Sequence, residues 1–138
     1  MIVYLDTSAL IKLVVEENGT RRTQEVVSEA SAVATSVVSY VEARAALARM
    51  RAGGRIDARG LRTSRRYLDG LWLDLLSVPS DDELLAAAAD LADDYSLRGY
   101  DAVQLAAAAS LRKAGEVTFA CWDVELSAAA AELGLTPA

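Results

Sequence analysis

The sequence predicts an α/β fold with a short, mostly parallel central sheet flanked by helices. Two observations predict it. Short apolar runs of strand character alternate with helix-length stretches, and the 138 residues contain no repeat, no low-complexity tail and no evident linker. A chain of this length suits one compact domain with a sizeable core, expected over residues 1–138.

MIVYL reads as a short buried strand, and TSALIKLVVEE as a helix with Thr7 or Ser8 available to cap it. GTRRTQEVVSEA is a second helical stretch and SAVATS a second strand. VVSYVEARAALARM then places Val38, Val41, Ala45 and Ala48 at helical spacing, which makes Val41 a core-facing residue, and Gly53-Gly54 ends the run. RIDARGLRTSRRYLDGLWLDLL is two-faced: Leu61, Leu68, Trp72 and Leu75 lie on one side of a helix, and Arg55, Arg59, Arg62 and Arg66 on the other. LLSVPS is a weak third strand. DDELLAAAADLADDYSL and YDAVQLAAAASLRKAG are alanine-rich helices, EVTFACW is a fourth strand, and DVELSAAAAELG is the last helix.

Hydrophobic residues make up 53% and charged residues 25%, which excludes a disordered chain. No basic start precedes an apolar segment and no uncharged run could cross a bilayer, so the expected location is the cytoplasm. Cys121 is the only cysteine, which agrees with a reducing compartment, and its apolar neighbours suggest a buried thiol. The chain has no histidine. That removes Ser-His-Asp and Cys-His catalysis and every histidine metal site, leaving carboxylates with a hard cation such as Mg²⁺ or Mn²⁺ as the chemical tools at hand. The net charge is −6, yet Arg44 to Arg66 holds eight arginines and one acid, Asp57.

Four acids bear on that chemistry. Asp6 and Asp123 each follow a strand and would stand at one edge of a parallel sheet, where ligands of such folds bind. Each alone is most simply a helix N-cap. Asp101 with Gln104 spells a capping box. Glu42 lies inside a helix beside Val41 and lacks a basic partner three or four residues away, its neighbours there being Val38, Ser39, Ala45 and Ala46. Together the four could converge on one acidic pocket. Like charges brought to about 5 Å cost roughly 3 kcal/mol per pair at an effective dielectric near 20, so several such pairs require a cation. A divalent ion held by oxygens alone would meet that need and support hydrolysis of a phosphodiester, with Glu42 or Asp123 orienting the attacking water.

DTSALIK, SYVEARAAL, LRGYDAVQLAAA and CWDVEL resemble, in order and spacing, the PIN-domain ribonucleases, and among them the VapC-type toxins of bacterial toxin–antitoxin pairs. The resemblance spans nearly the whole chain. It implies a PIN-like three-layer fold and an endoribonuclease dependent on Mg²⁺ or Mn²⁺ that leaves 5′-phosphate and 3′-hydroxyl ends. It also implies a homodimer and inhibition by a cognate VapB-type antitoxin. Carried over by position, the acidic set becomes Asp6, Glu42, Asp101 and Asp123, with Asp6 and Asp101 as metal ligands, Asp123 ranked after them, and Ser8 lining the pocket. Gln104 stands where many relatives have histidine, and Cys121 where Thr or Ser often precedes the last aspartate. The stripe Arg55, Arg59, Arg62 and Arg66 offers either phosphate contacts to RNA or a docking surface for an acidic partner. Two other readings are a receiver-like phosphoacceptor module and a catalytically silent PIN fold. The former lacks a lysine after the last strand, and a haloacid-dehalogenase-type phosphatase fails because Ser8 stands where its second aspartate belongs.

Overall fold

A computed structural model describes residues 1–138. Its centre is β1 (Ile2–Leu5), hydrogen-bonded along both edges. On one side β2 (Ala32–Ser36) pairs in parallel with Ile2 opposite Ala32, and β3 (Leu76–Val78) lies beyond it. On the other side β4 (Val117–Ala120) pairs in parallel with Leu5 opposite Ala120, and beyond it lies β5 (Thr136–Pro137). The order is β3-β2-β1-β4-β5 and every pairing is parallel. The two-residue β5 has no counterpart in the sequence reading, because so short a strand carries no periodicity.

Alternation along β1 divides the core in two. Val3 and Leu5 face α1 (Thr7–Val14), α2 (Thr20–Ser28), α3 (Val38–Ala52) and α4 (Ala58–Trp72). Tyr4 faces the other way and stacks on Phe119, with ring centroids 5.6 Å apart. That side is closed by α5 (Asp82–Tyr95), α6 (Gly99–Ser110) and α7 (Val124–Glu132). A strand covered on both faces must be apolar throughout, which is why MIVYL shows no polar alternation. Consecutive burial of Leu105, Ala106, Ala107 and Ala108 lets α6 sit against the sheet and α5 together.

Several expectations are corrected. On α3 the buried stripe is Ser39, Ala43, Leu47 and Met50, whereas Val41 is 60% exposed and Ala45 and Ala48 face solvent. The helix turned because Leu47 and Met50 outweigh the small alanines in buried apolar surface. The cap of α1 is Asp6, not Thr7 or Ser8. Asp101 caps nothing: α6 begins at Gly99 with Arg98 at the cap position, so Asp101 lies within the first turn. Arg55 precedes α4, which starts at Ala58 behind the Asp57 cap, so it is not part of the helical stripe.

The face of α4 is largely as expected, with Leu68 fully buried, Leu61 and Trp72 half-buried and Arg59, Arg62 and Arg66 exposed, but Leu75 lies beyond the helix, which ends at Trp72. Leu68→Ala should lower unfolding free energy by about 2–5 kcal/mol, read from urea titration, because the site sits among packed neighbours that collapse only in part. The α3 end at Gly53-Gly54 also holds, Gly54 adopting φ of 77°. No helix is long and apolar enough to cross a membrane.

This order places β2 and β4 on opposite sides of β1, so the chain leaving β1 and the chain leaving β4 bracket a switch in strand order. A crevice opens at the carboxyl ends of strands at such a point.

Candidate active site

Asp6 and Asp123 stand at that crevice, one at the end of β1 and the other just beyond β4. Both are also helix caps. Asp6 Oδ1 accepts hydrogen bonds from the Ala9 amide (2.9 Å) and the Ser8 hydroxyl (2.6 Å). Asp123 Oδ1 accepts one from the Leu126 amide (2.8 Å). In each case the cap engages Oδ1, so one carboxylate can cap its helix and present its other oxygen elsewhere. Ser8 further accepts the Trp122 amide proton at 3.1 Å, which ties the start of α1 to the loop leaving β4.

Asp6 is only 5% exposed. Burial pushes its carboxyl above the ordinary aspartate range, against hydrogen bonds from the Cys121 thiol, Ser8 and the Ala9 amide that pull it down, and the Asp101 charge raises it further. Burial and the Asp6 charge together hold the Cys121 thiol far above its ordinary value, so it remains protonated. The thiol donates to the Asp123 carbonyl at 3.6 Å, and its sulfur accepts the Asp123 amide at 3.2 Å.

Asp101 is paired with Arg98, whose Nε lies 3.2 Å from Asp101 Oδ2 and whose terminal nitrogen lies 3.9 Å from Asp123 Oδ2. Glu42 is held differently. Its Oε1 accepts from Thr7 Oγ1 and from Gln104 Nε2, each at 2.8 Å. Gln104 is buried and acts as a hub: its Oε1 accepts the Tyr4 hydroxyl at 2.6 Å, and its amide nitrogen also lies 2.9 Å from Ser39 Oγ. Ser39 Oγ lies 2.7 Å from Thr35 Oγ1, which donates to the Leu5 carbonyl at 2.7 Å. This column links β1, β2, α3 and α6 beneath the acids. Burial, reinforced by the charges of Asp6 and Glu42, keeps the Tyr4 phenol well above its ordinary value and therefore a donor.

The four acids share one edge of the sheet, but less tightly than a single pocket would require. The Asp101 charge raises the Asp6 carboxyl, Asp101 and Asp123 share Arg98, and Glu42 and Asp101 line a groove of about 870 Å³ between α3, α5 and α6. No three acidic side chains approach closely enough to ligate one ion. Arg98 and Gln104 engage carboxylate oxygens that would otherwise repel. A buried Asp6, disfavoured as an anion by burial and by the Asp101 charge, fits a hard cation bound by one or two carboxylates that keeps its remaining waters. An all-protein cage does not fit.

The arginine stripe lies apart from this groove. Arg55 pairs with Glu17 at 3.2 Å, and Arg59, Arg62 and Arg66 are exposed on α4. The cations lining the groove are Arg49 and Arg98, with Tyr100 beside them, 60% exposed. Tyr4 and these groove residues were not anticipated as parts of the site. Gln104 offered a signal, as the one polar side chain inside the otherwise apolar run AVQLAAAA.

A family model for the PIN domain matches residues 3–119. The chain belongs to the PIN-domain family. Among curated PIN-domain relatives, Ribonuclease VapC45 of Mycobacterium tuberculosis is 32% identical over 133 residues, covering 96% of this chain and 92% of that one. Among solved structures, VapBC2 of Rickettsia felis bound to a promoter DNA fragment aligns with TM-score 0.69 and 11% identity, over 100% of this chain and 98% of that one. VapC20 of Mycobacterium tuberculosis, a sarcin-ricin loop cleaving toxin, aligns with TM-score 0.68 and 19% identity, over 92% and 94%. At these identities the structural likeness establishes the PIN fold.

Proposed function

We propose that this chain, read as a single PIN domain over residues 1–138, is the toxic endoribonuclease of a VapBC-type toxin–antitoxin pair. The observation that carries the reading is the placement of Asp6 and Asp123 after β1 and β4, on either side of the switch in strand order, with Asp101 and Glu42 on the same edge. The 32% identity to a ribonuclease over nearly the whole chain supports the substrate class. Similarity in fold to a toxin–antitoxin complex from Klebsiella pneumoniae, with TM-score 0.62, supports a VapB-type antitoxin as partner. A homodimer in the cytoplasm, where RNA and antitoxin both reside, completes the proposal.

Asp6 and Asp101 would hold Mg²⁺ or Mn²⁺, with Asp123 next in rank. When bound, such an ion neutralises charge on the phosphate and makes water a competent nucleophile near neutral pH. Ser8 fixes the rotamer of Asp6. Thr7 and Gln104 anchor Oε1 of Glu42, so that Oε2 remains to orient the attacking water or accept its proton. Arg49 and Arg98 offer phosphate contacts within the groove, while Arg55, Arg59, Arg62 and Arg66 are the outer candidates for RNA or antitoxin. A receiver-like role finds no acceptor on the neighbouring strands, since β2 and β3 end in Ser36 and Val78.

Incubating the purified chain with RNA and Mg²⁺ or Mn²⁺ should yield fragments with 5′-phosphate and 3′-hydroxyl ends. Excess chelator should stop cleavage, and either ion should restore it. Cleavage that proceeds unchanged in chelator would overturn the metal-dependent reading.

A further inference from the structure

We infer that Arg98 is an internal counter-cation of the acidic site, bridging Asp101 and Asp123 in the metal-free chain and yielding that place when a divalent ion loads. The inference rests on the metal reading above. Arg98 is the one basic side chain in contact with two of the four acids, at 3.2 and 3.9 Å. Nothing else holds it there. It occupies the cap position of α6 but makes no side-chain cap bond, and its side chain is 82% exposed. Exposed ion pairs are weak and easily broken, so a doubly charged ion competes well for the same oxygens. The guanidinium and the ion would both attract Asp101, with Asp123 next in rank for the ion, and would repel each other, so full occupancy by both is disfavoured.

Arg49 provides the comparison, because it lines the same groove and carries the same charge without appearing in an ion pair with any acid. Removing charge at either arginine alters the general field, but only Arg98 competes by contact. After release Arg98 would remain beside the groove, where a guanidinium can meet a phosphate.

The test is calorimetric titration of the purified full-length chain with Mn²⁺, run on wild type, Arg98→Gln, Arg98→Lys and Arg49→Gln. Arg98→Gln should bind Mn²⁺ about three- to tenfold more tightly than wild type, given the modest strength of exposed pairs. Arg98→Lys should stay near wild type, and Arg49→Gln should change affinity by less than about twofold. Thermal melts add a second readout: Arg98→Gln should melt below wild type in chelator and no lower than wild type in saturating Mn²⁺. Unchanged or weaker Mn²⁺ binding by Arg98→Gln overturns the inference while leaving the metal site standing, as does an equal gain in Arg49→Gln. Absence of Mn²⁺ binding in every variant overturns the metal reading and the inference with it.

Discussion

Asp6→Asn should lose RNA cleavage by more than about a hundredfold, beyond the roughly 10–100-fold losses typical of outer-shell metal partners, and yet fold more stably without metal. Asparagine caps a helix as well as aspartate does, so the bonds from Ser8 and Ala9 can persist. What disappears is a buried charge. The folded-state value of Asp6 is raised, so the stability it contributes is complete below the ordinary aspartate value and is lost as pH rises through the folded one. At neutral pH the ionised side chain therefore burdens the metal-free fold, and the melting temperature of Asp6→Asn should exceed that of wild type. The difference should shrink toward pH 3. A variant that melts lower than wild type at pH 7 would refute this account of Asp6.

Gln104→Leu should cost about 3 kcal/mol of stability, or a fall of about 10 °C in melting temperature, because it strands buried polar groups at roughly 1–3 kcal/mol each. The Tyr4 hydroxyl loses its acceptor, Ser39 loses a donor, and Glu42 retains Thr7 alone. Cleavage should fall as well, since Glu42 is no longer fixed from the α6 side. Urea titration and RNA cleavage measured together separate the two effects. A stability loss below about 1 kcal/mol would show that water replaces the amide.

Much of the frame was legible in the residues. Apolar runs at β1 and β4 marked buried parallel strands, and an aspartate at the end of each pointed to one sheet edge. α3 misled because small and β-branched residues at helical spacing mimic a core stripe, while burial is decided by volume, and Leu47 and Met50 carry more of it. Asp101 misled because a capping box is a local pattern, and the chain instead entered the helix three residues earlier, with Arg98 at the cap and Gly99 first in the helix. The partners of the acids lay out of reach for a different reason. Thr7, Gln104, Cys121 and Arg98 meet Glu42, Asp6, Asp101 and Asp123 mostly across large sequence separations, as with Gln104 and Glu42, and only the sheet order brings them together.

That order also sets a clock. Asp6 is made well before β4, the strand that flanks β1 and delivers Asp123 to it, which begins at Val117. At about 5–20 residues per second, a ribosome needs roughly 6–22 s to bridge that interval. Until β4 emerges and pairs, β1 has only one neighbour and the acid set lacks its last member. A half-made chain therefore holds neither the complete sheet nor the complete site. For a toxin of this fold, harm is deferred until β4 has been made, which leaves the cell an interval in which an antitoxin can already be waiting.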